Sequence, residues 1–115
     1  MSPTAEGFTV ELVGQFSTTV SGRQSYEIAD ADWMMVLPLV RIAVEQFGFR
    51  SRLPVHGFDE LYVSCVRDAA EITIGWDNWS GCFVMGCNAS ADAIVREMGD
   101  FVEHMMSEQS SKPES

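Results

Sequence analysis

The stretch 71-EITIGWDNWSGCFVMG-86 carries the signal from which the fold is read. Ile72, Ile74 and Trp76 alternate with Thr73, Gly75 and Asp77, the period of two that marks a half-buried strand. Asn78, Ser80 and Gly81 are residues that turns use, and 82-CFVMGC-87 runs apolar again. The pattern is a hairpin with two indoles, a carboxylate and an amide near its tip. Immediately before it, 61-LYVSCVR-67 reads as another strand, separated by Asp68, Ala69 and Ala70, a hairpin-length connection.

On the C-terminal side, Ala91, Ile94, Val95, Met98, Phe101, Val102 and Met105 recur at spacings of three and four. They predict an amphipathic helix over 91–106 with Ser90 as its cap, weakened slightly by Gly99. On the N-terminal side, Asp30 or Asp32 offers a cap for a helix running to Phe47, and Gly48 occupies the place of a left-handed terminator. Pro38 either kinks that helix or stands near its true start. The segment is apolar on almost every side, so it requires cover on more than one face, from this chain or from another copy. Residues 49-FRSRLPV-55 suit a short edge strand, and 8-FTVELV-13 and Phe16–Thr18–Val20 read as extended, interrupted at Gly14, with a turn at Gly22–Arg23.

These elements predict one α+β domain: a single antiparallel sheet of three to five strands, with the first-half helix and the C-terminal helix packed on it. At 115 residues and 46% hydrophobic, the chain can build one core without disulfides. The ordered part is expected over 7–106, with residues 1–6 and the tail 107-SEQSSKPES-115 disordered.

Seventeen acidic against seven basic residues give a net charge of −10, which repels nucleic acid and anionic lipid and favours a basic partner. Acidity of this kind also serves solubility alone. Cys65, Cys82 and Cys87 form no C-x-x-C pair, and no basic-then-apolar leader opens the chain, so reduced thiols and a cytoplasmic location are expected. The longest apolar run, 33-WMMVLPLV-40, is too short to span a bilayer.

Neither His56 nor His104 combines with the cysteines at a zinc spacing, and Cys82 and Cys87 point to opposite strand faces. Neither a metal nor another cofactor is expected. Cys65 and Cys82 read as core residues rather than nucleophiles, and no phosphate-binding glycine motif occurs. The expectation is therefore a non-enzyme. Trp76 is assigned to the interior, its N–H on a loop carbonyl, and Asp77 and Asn78 to capping the turn. Trp79 either folds down over the hairpin, the commoner fate of an indole, or stands out as an anchor inside a charged ring. In the second case Asp77, Asn78, Trp79, Asp59, Glu60, Asp68 and Glu71 form the candidate partner-binding surface, with the stretch at Asp30 and Asp32 as the other candidate.

The segment 60-ELYVSCVRDAAEITIGWDNWSGCFVMG-86 followed by 90-SADAIVREMGDFVEHMM-106 resembles small immunity proteins of bacterial polymorphic toxin systems, a likeness of style spanning about 23–106. The resemblance rests on the W-D-N-W-S-G turn, the apolar strand and the amphipathic helix. It implies a cytosolic α+β domain that binds a cognate secreted toxin and covers its active site or substrate groove, a basic one if the toxin acts on nucleic acid. A homo-oligomeric adaptor, resting on the apolar first helix, is the alternative, and a small ligand-binding domain with a pocket under the sheet is a third.

Overall fold

A computed structural model describes residues 14–111, of which 108–111 are described by their backbone alone. The elements run β1 (Gly14–Thr18), β2 (Gln24–Ile28), a 3-10 turn (Trp33–Met35), α1 (Val36–Phe47), β3 (Arg50–Ser51), β4 (Val55–His56), β5 (Glu60–Arg67), β6 (Ala70–Asp77), β7 (Gly81–Gly86) and α2 (Ala89–Ser111). The sheet is antiparallel, in the order β1-β2-β7-β6-β5-β3, with β4 also pairing β5. Both helices pack on one face of it.

Among the described residues seven strands, not three to five, make up the sheet. The hairpins of β5, β6 and β7 lie where the alternation places them. The additional strands come from long-range pairing: 24-QSYEI-28 becomes an inner strand because Tyr26 and Ile28 sit opposite Val84 and Cys82. Short-range pattern carries no information about a partner nearly sixty residues away. The predicted edge strand 49–55 divides around Pro54 into β3 and β4, since a proline cannot donate to the ladder. The extended reading of 8–13 lies outside the described residues, as do the calls on 1–6.

The core face is built in rows across the sheet. Tyr26, Val84, Ile74 and Val63 form one; Ile28, Cys82, Trp76 and Leu61 the next. Leu39 and Ala43 of α1, and Ala91, Val95, Met98 and Val102 of α2, close over them. Gly99 is the point of closest approach rather than a weakness. A Cβ there would lie 2.5 Å from the Phe16 ring and 2.8 Å from the Tyr26 ring, which pack tilted at 54° with centroids 5.0 Å apart.

Pro38 falls in the first turn of α1, where its missing N–H has no helical partner to lose. It starts the helix rather than bending it. Gly48 ends α1 at φ 75°, the left-handed geometry expected of it. Val36, Leu39 and Ala43 of α1 are buried, with Val40, Ile42 and Phe47 half-buried against the core, so among the described residues one side of the helix is covered. Ser90 lies inside α2 rather than capping it, and α2 continues through 107–111, part of the stretch expected to be disordered. Extending a nucleated helix costs little even for polar residues.

Cys65 and Cys82 are fully buried, and burial pushes their thiols from 9.0 up to about 11 and about 12, with Asp32 adding to the shift at Cys82. The folded chain therefore holds both protons at a pH where the unfolded chain releases them. Stability is expected to fall as pH rises from about 9, by about 1.4 kcal/mol per pH unit for each thiol, levelling as the folded values are passed. Urea midpoints between pH 8 and 10.5 check this; a Cys65→Ala/Cys82→Ala variant should show a shallower slope.

Candidate functional site

Three loops meet at one end of the sheet. The β6–β7 tip carries Asn78, Trp79 and Ser80. The β4–β5 loop carries Gly57, Phe58 and Asp59. The segment after β2 carries Asp30 and Asp32. Their meeting is enforced by specific bonds. The Asn78 backbone N–H donates to the Asp59 carbonyl at 3.2 Å. Cys82 Sγ donates to the Asp32 carbonyl at 3.1 Å. Gly81, at φ 75°, brings its Cα so close to Ala29 that a Cβ would lie 2.5 Å from the Ala29 carbonyl oxygen.

The tip itself is held by Asp77. Its Oδ1 accepts from the Trp79 N–H at 3.0 Å and the Ser80 N–H at 2.6 Å. Capping of the turn by Asp77 is thus as expected, whereas Asn78 contributes its backbone. Asp77→Ala is expected to cost about 1–2 kcal/mol, because two turn N–H groups lose their acceptor. Asp77→Asn, which keeps an oxygen there, should recover most of that in a urea titration.

With the tip fixed, Trp79 stands 81% exposed rather than folded over the hairpin. Its backbone is committed to Asp77, and the inward positions are already filled by Trp76 and Cys82. Trp76 packs against the core as expected, but its indole N–H meets no loop carbonyl among the described residues. On the loop bonded to that of Trp79, Phe58 is 99% exposed.

Sequence reasoning passed over Phe58, although 57-GFDE-60 held the clue: a large aromatic between a glycine and two acids has no stripe to join. Asp59, Glu60 and Asp77 lie at the same end, Glu60 directly opposite Asp77 in the ladder. The Tyr62 hydroxyl donates to Glu60 Oε1 at 3.1 Å, which orients that carboxylate. Asp30 and Asp32, taken from the sequence as a separate surface, join this one through Gly81 and Cys82.

Asp68 and Glu71 do not. They sit at the opposite end of the β5–β6 hairpin, roughly 20 Å away at about 3.3 Å per residue. The Glu71 backbone serves the corner before α2, accepting from Cys87 N–H at 2.9 Å. Asp68 adopts φ 52° in the two-residue turn, a left-handed position that aspartate tolerates.

None of the three converging loops contains a lysine or arginine. Arg23 is bound to Asp92 and Arg67 to the Phe47 carbonyl, both at the far end. Among the described residues no ion pair joins the carboxylates of this end to a basic side chain. Next to it, the open sheet face has a shallow groove of about 560 Å³, where Tyr62 and Phe83 flank Gly75 with Met85, Ser25, Ser64 and Thr73 around them. Among the described residues no three histidine, cysteine or acidic side chains come together to hold a metal ion, and no helix is long and apolar enough to cross a membrane.

Comparison with protein-family models, with curated proteins and with solved structures finds no match.

Proposed function

We propose that this protein is a non-catalytic inhibitor of the immunity type, which binds a cationic protein partner through the acidic, aromatic end of its sheet. One observation carries the reading. Trp79 and Phe58 stand exposed on two loops that are joined by a backbone hydrogen bond, among carboxylates that no lysine or arginine of those loops offsets. Large exposed aromatics within a polar rim are the composition of a binding hot spot. Unpaired carboxylates supply long-range attraction to a basic surface and speed encounter. Asp77 and the Glu60–Tyr62 bond hold the anchors and charges in place beforehand, which lowers the entropy lost on docking.

The partner class that fits is a secreted toxin whose substrate groove is basic because it handles nucleic acid. The acidic end then occupies the path of the phosphates, with Trp79 and Phe58 taking the place of stacked bases. Expression in cells of the gene adjoining this protein's own provides the test, and its product should be toxic when made alone. Co-expression should restore growth, and a variant with Asp30, Asp59 and Glu60 changed to lysine should not. Equal killing with and without the wild-type protein overturns the reading.

A further inference from the structure

On the sheet face opposite the helices, the register sets Tyr62, Gly75, Phe83 and Glu27 in one row. Gly75 leaves the gap in that row. A Cβ there would lie 2.6 Å from the Tyr62 ring and 2.9 Å from the Phe83 ring. The two rings therefore lean together over it, tilted at 51° with centroids 5.9 Å apart. They form the floor of the shallow groove of about 560 Å³ that adjoins the acidic end. We infer that this groove is a guanidinium site, and that an arginine side chain of the cationic partner occupies it. The choice of that partner as the source rests on the immunity-type reading; the choice of a guanidinium rests on the groove.

Charge selects a cation. Among the described residues the groove is lined by Glu27 and Asp77 and by no lysine, arginine or histidine. A third carboxylate, Glu60, lies opposite Asp77 in the ladder and accepts from the Tyr62 hydroxyl at 3.1 Å. Burial, that hydrogen bond and the charges of Glu60 and Asp77 raise the Tyr62 hydroxyl above its ordinary value, so both carboxylates act on the polar edge of the ring. Arg52, whose backbone N–H donates to the Ser64 carbonyl, is the arginine closest to this row in the ladder. It is exposed, and among the described residues it forms no ion pair with the three acids. An anion is repelled here, and a neutral ligand leaves the carboxylates without a counter-charge.

The side chains select a guanidinium over an ammonium. A positive charge over an aromatic face is attracted by the ring. A guanidinium is flat and more weakly hydrated than an ammonium, so it stacks on a ring while donating paired hydrogen bonds to a carboxylate. Phe83 and Glu27 are direct cross-strand neighbours, which sets a ring and a carboxylate side by side as that mode requires. The Glu27 carboxylate is oriented beforehand by the Ser25 hydroxyl, on a residue 2% exposed, which donates to Oε2 at 3.4 Å.

Continuity with the loop end supplies the occupant. Asp77 borders the groove and also accepts the Trp79 N–H. A protein seated on the Trp79 tip thus lies at the mouth of the groove, with its arginines in reach.

Titration of the full chain with Nα-acetyl-arginine amide, followed by nuclear magnetic resonance, tests the site without the partner. The probe carries a single guanidinium and no other charge. At constant ionic strength its shifts should saturate, centred on Gly75, Phe83 and Glu27, with a dissociation constant on the order of millimolar. Nα-acetyl-lysine amide should bind about threefold or more weakly. Phe83→Leu and Glu27→Gln should each weaken the arginine probe about three- to fivefold. Asp68→Asn removes the same charge at the opposite end of the β5–β6 hairpin, in a left-handed position that asparagine tolerates, and should leave binding unchanged.

If Phe83→Leu unfolds, Glu27→Gln, at a half-buried position on the sheet surface, carries the test. The inference is overturned by shifts that never saturate, by shifts centred on Trp79 and Asp59, by equal affinity for the lysine probe, or by equal loss in Asp68→Asn. In the complex with the partner, Glu27→Gln should weaken capture about threefold, and unaltered capture overturns the partner's arginine as the occupant. If the adjoining gene's product kills regardless of this protein while the arginine probe still binds the groove, the immunity reading fails and the guanidinium site stands.

Discussion

Gly81→Ala is expected to destabilise the fold by about 2–4 kcal/mol, a large share of the 5–15 kcal/mol typical of a domain. Two costs add. Gly81 has φ 75°, a conformation that costs an L-residue roughly 1 kcal/mol. A Cβ would also press on the carbonyl oxygens of Ile28 and Ala29, and these are backbone atoms that cannot rotate aside. Gly22 provides the control. It has φ 88° but nothing within 4 Å of its Cβ position, so Gly22→Ala should cost only the conformational part. The difference between the two urea midpoints isolates the clash. Equal costs would show that the segment after β2 can back away from the tip, and would undo the account of why the three loops converge.

The second large effect concerns binding. Trp79→Ala with Phe58→Ala is expected to weaken capture of the cationic partner by 100-fold or more, since hot-spot aromatics carry about 2 kcal/mol or more each. Both side chains are exposed, so thermal stability should move by no more than a few degrees. Asp59→Lys should act differently: slower association and a flatter salt dependence, with a smaller change in dissociation. Calorimetry for affinity and stopped flow for rates separate the two contributions. Unchanged affinity in the aromatic double variant would move the interface to another surface.

The pairing of β5, β6 and β7 was legible because alternation and turn residues are local signals. Ile72, Ile74 and Trp76 declare a face, and Ser80–Gly81 declare the return. The helix ends at Gly48 and the stripe of α2 were legible for the same reason. The place of β2 was not, since Tyr26 becomes interior only when Val84 lies beside it. Gly99 read as a flaw in a helix until Phe16 and Tyr26 were seen to pack against it.

The candidate surface divides along the same line. Strand pattern placed Asp77 and Trp79 at a tip, and Glu60 at the start of the neighbouring strand. The same pattern, with its turn at 68–70, already puts Asp68 and Glu71 at the other end of the hairpin, a consequence the candidate set overlooked; what it could not say is that Asp30 and Asp32 arrive from some forty-five residues away through Gly81 and Cys82.

By itself, the amino-acid sequence determined the fold class, the central hairpins, the two helices and the excess of negative charge, because periodicity, turn chemistry and composition act over a few residues. Only the tertiary structure decided that seven strands of the described residues join one sheet, that Trp79 and Phe58 are both exposed on loops bonded to each other, and that Trp33, Met34 and Leu37 are exposed among the described residues. Each of those depends on which distant segments fill the space around a side chain, and that is a property of the packed chain and not of its neighbours in sequence.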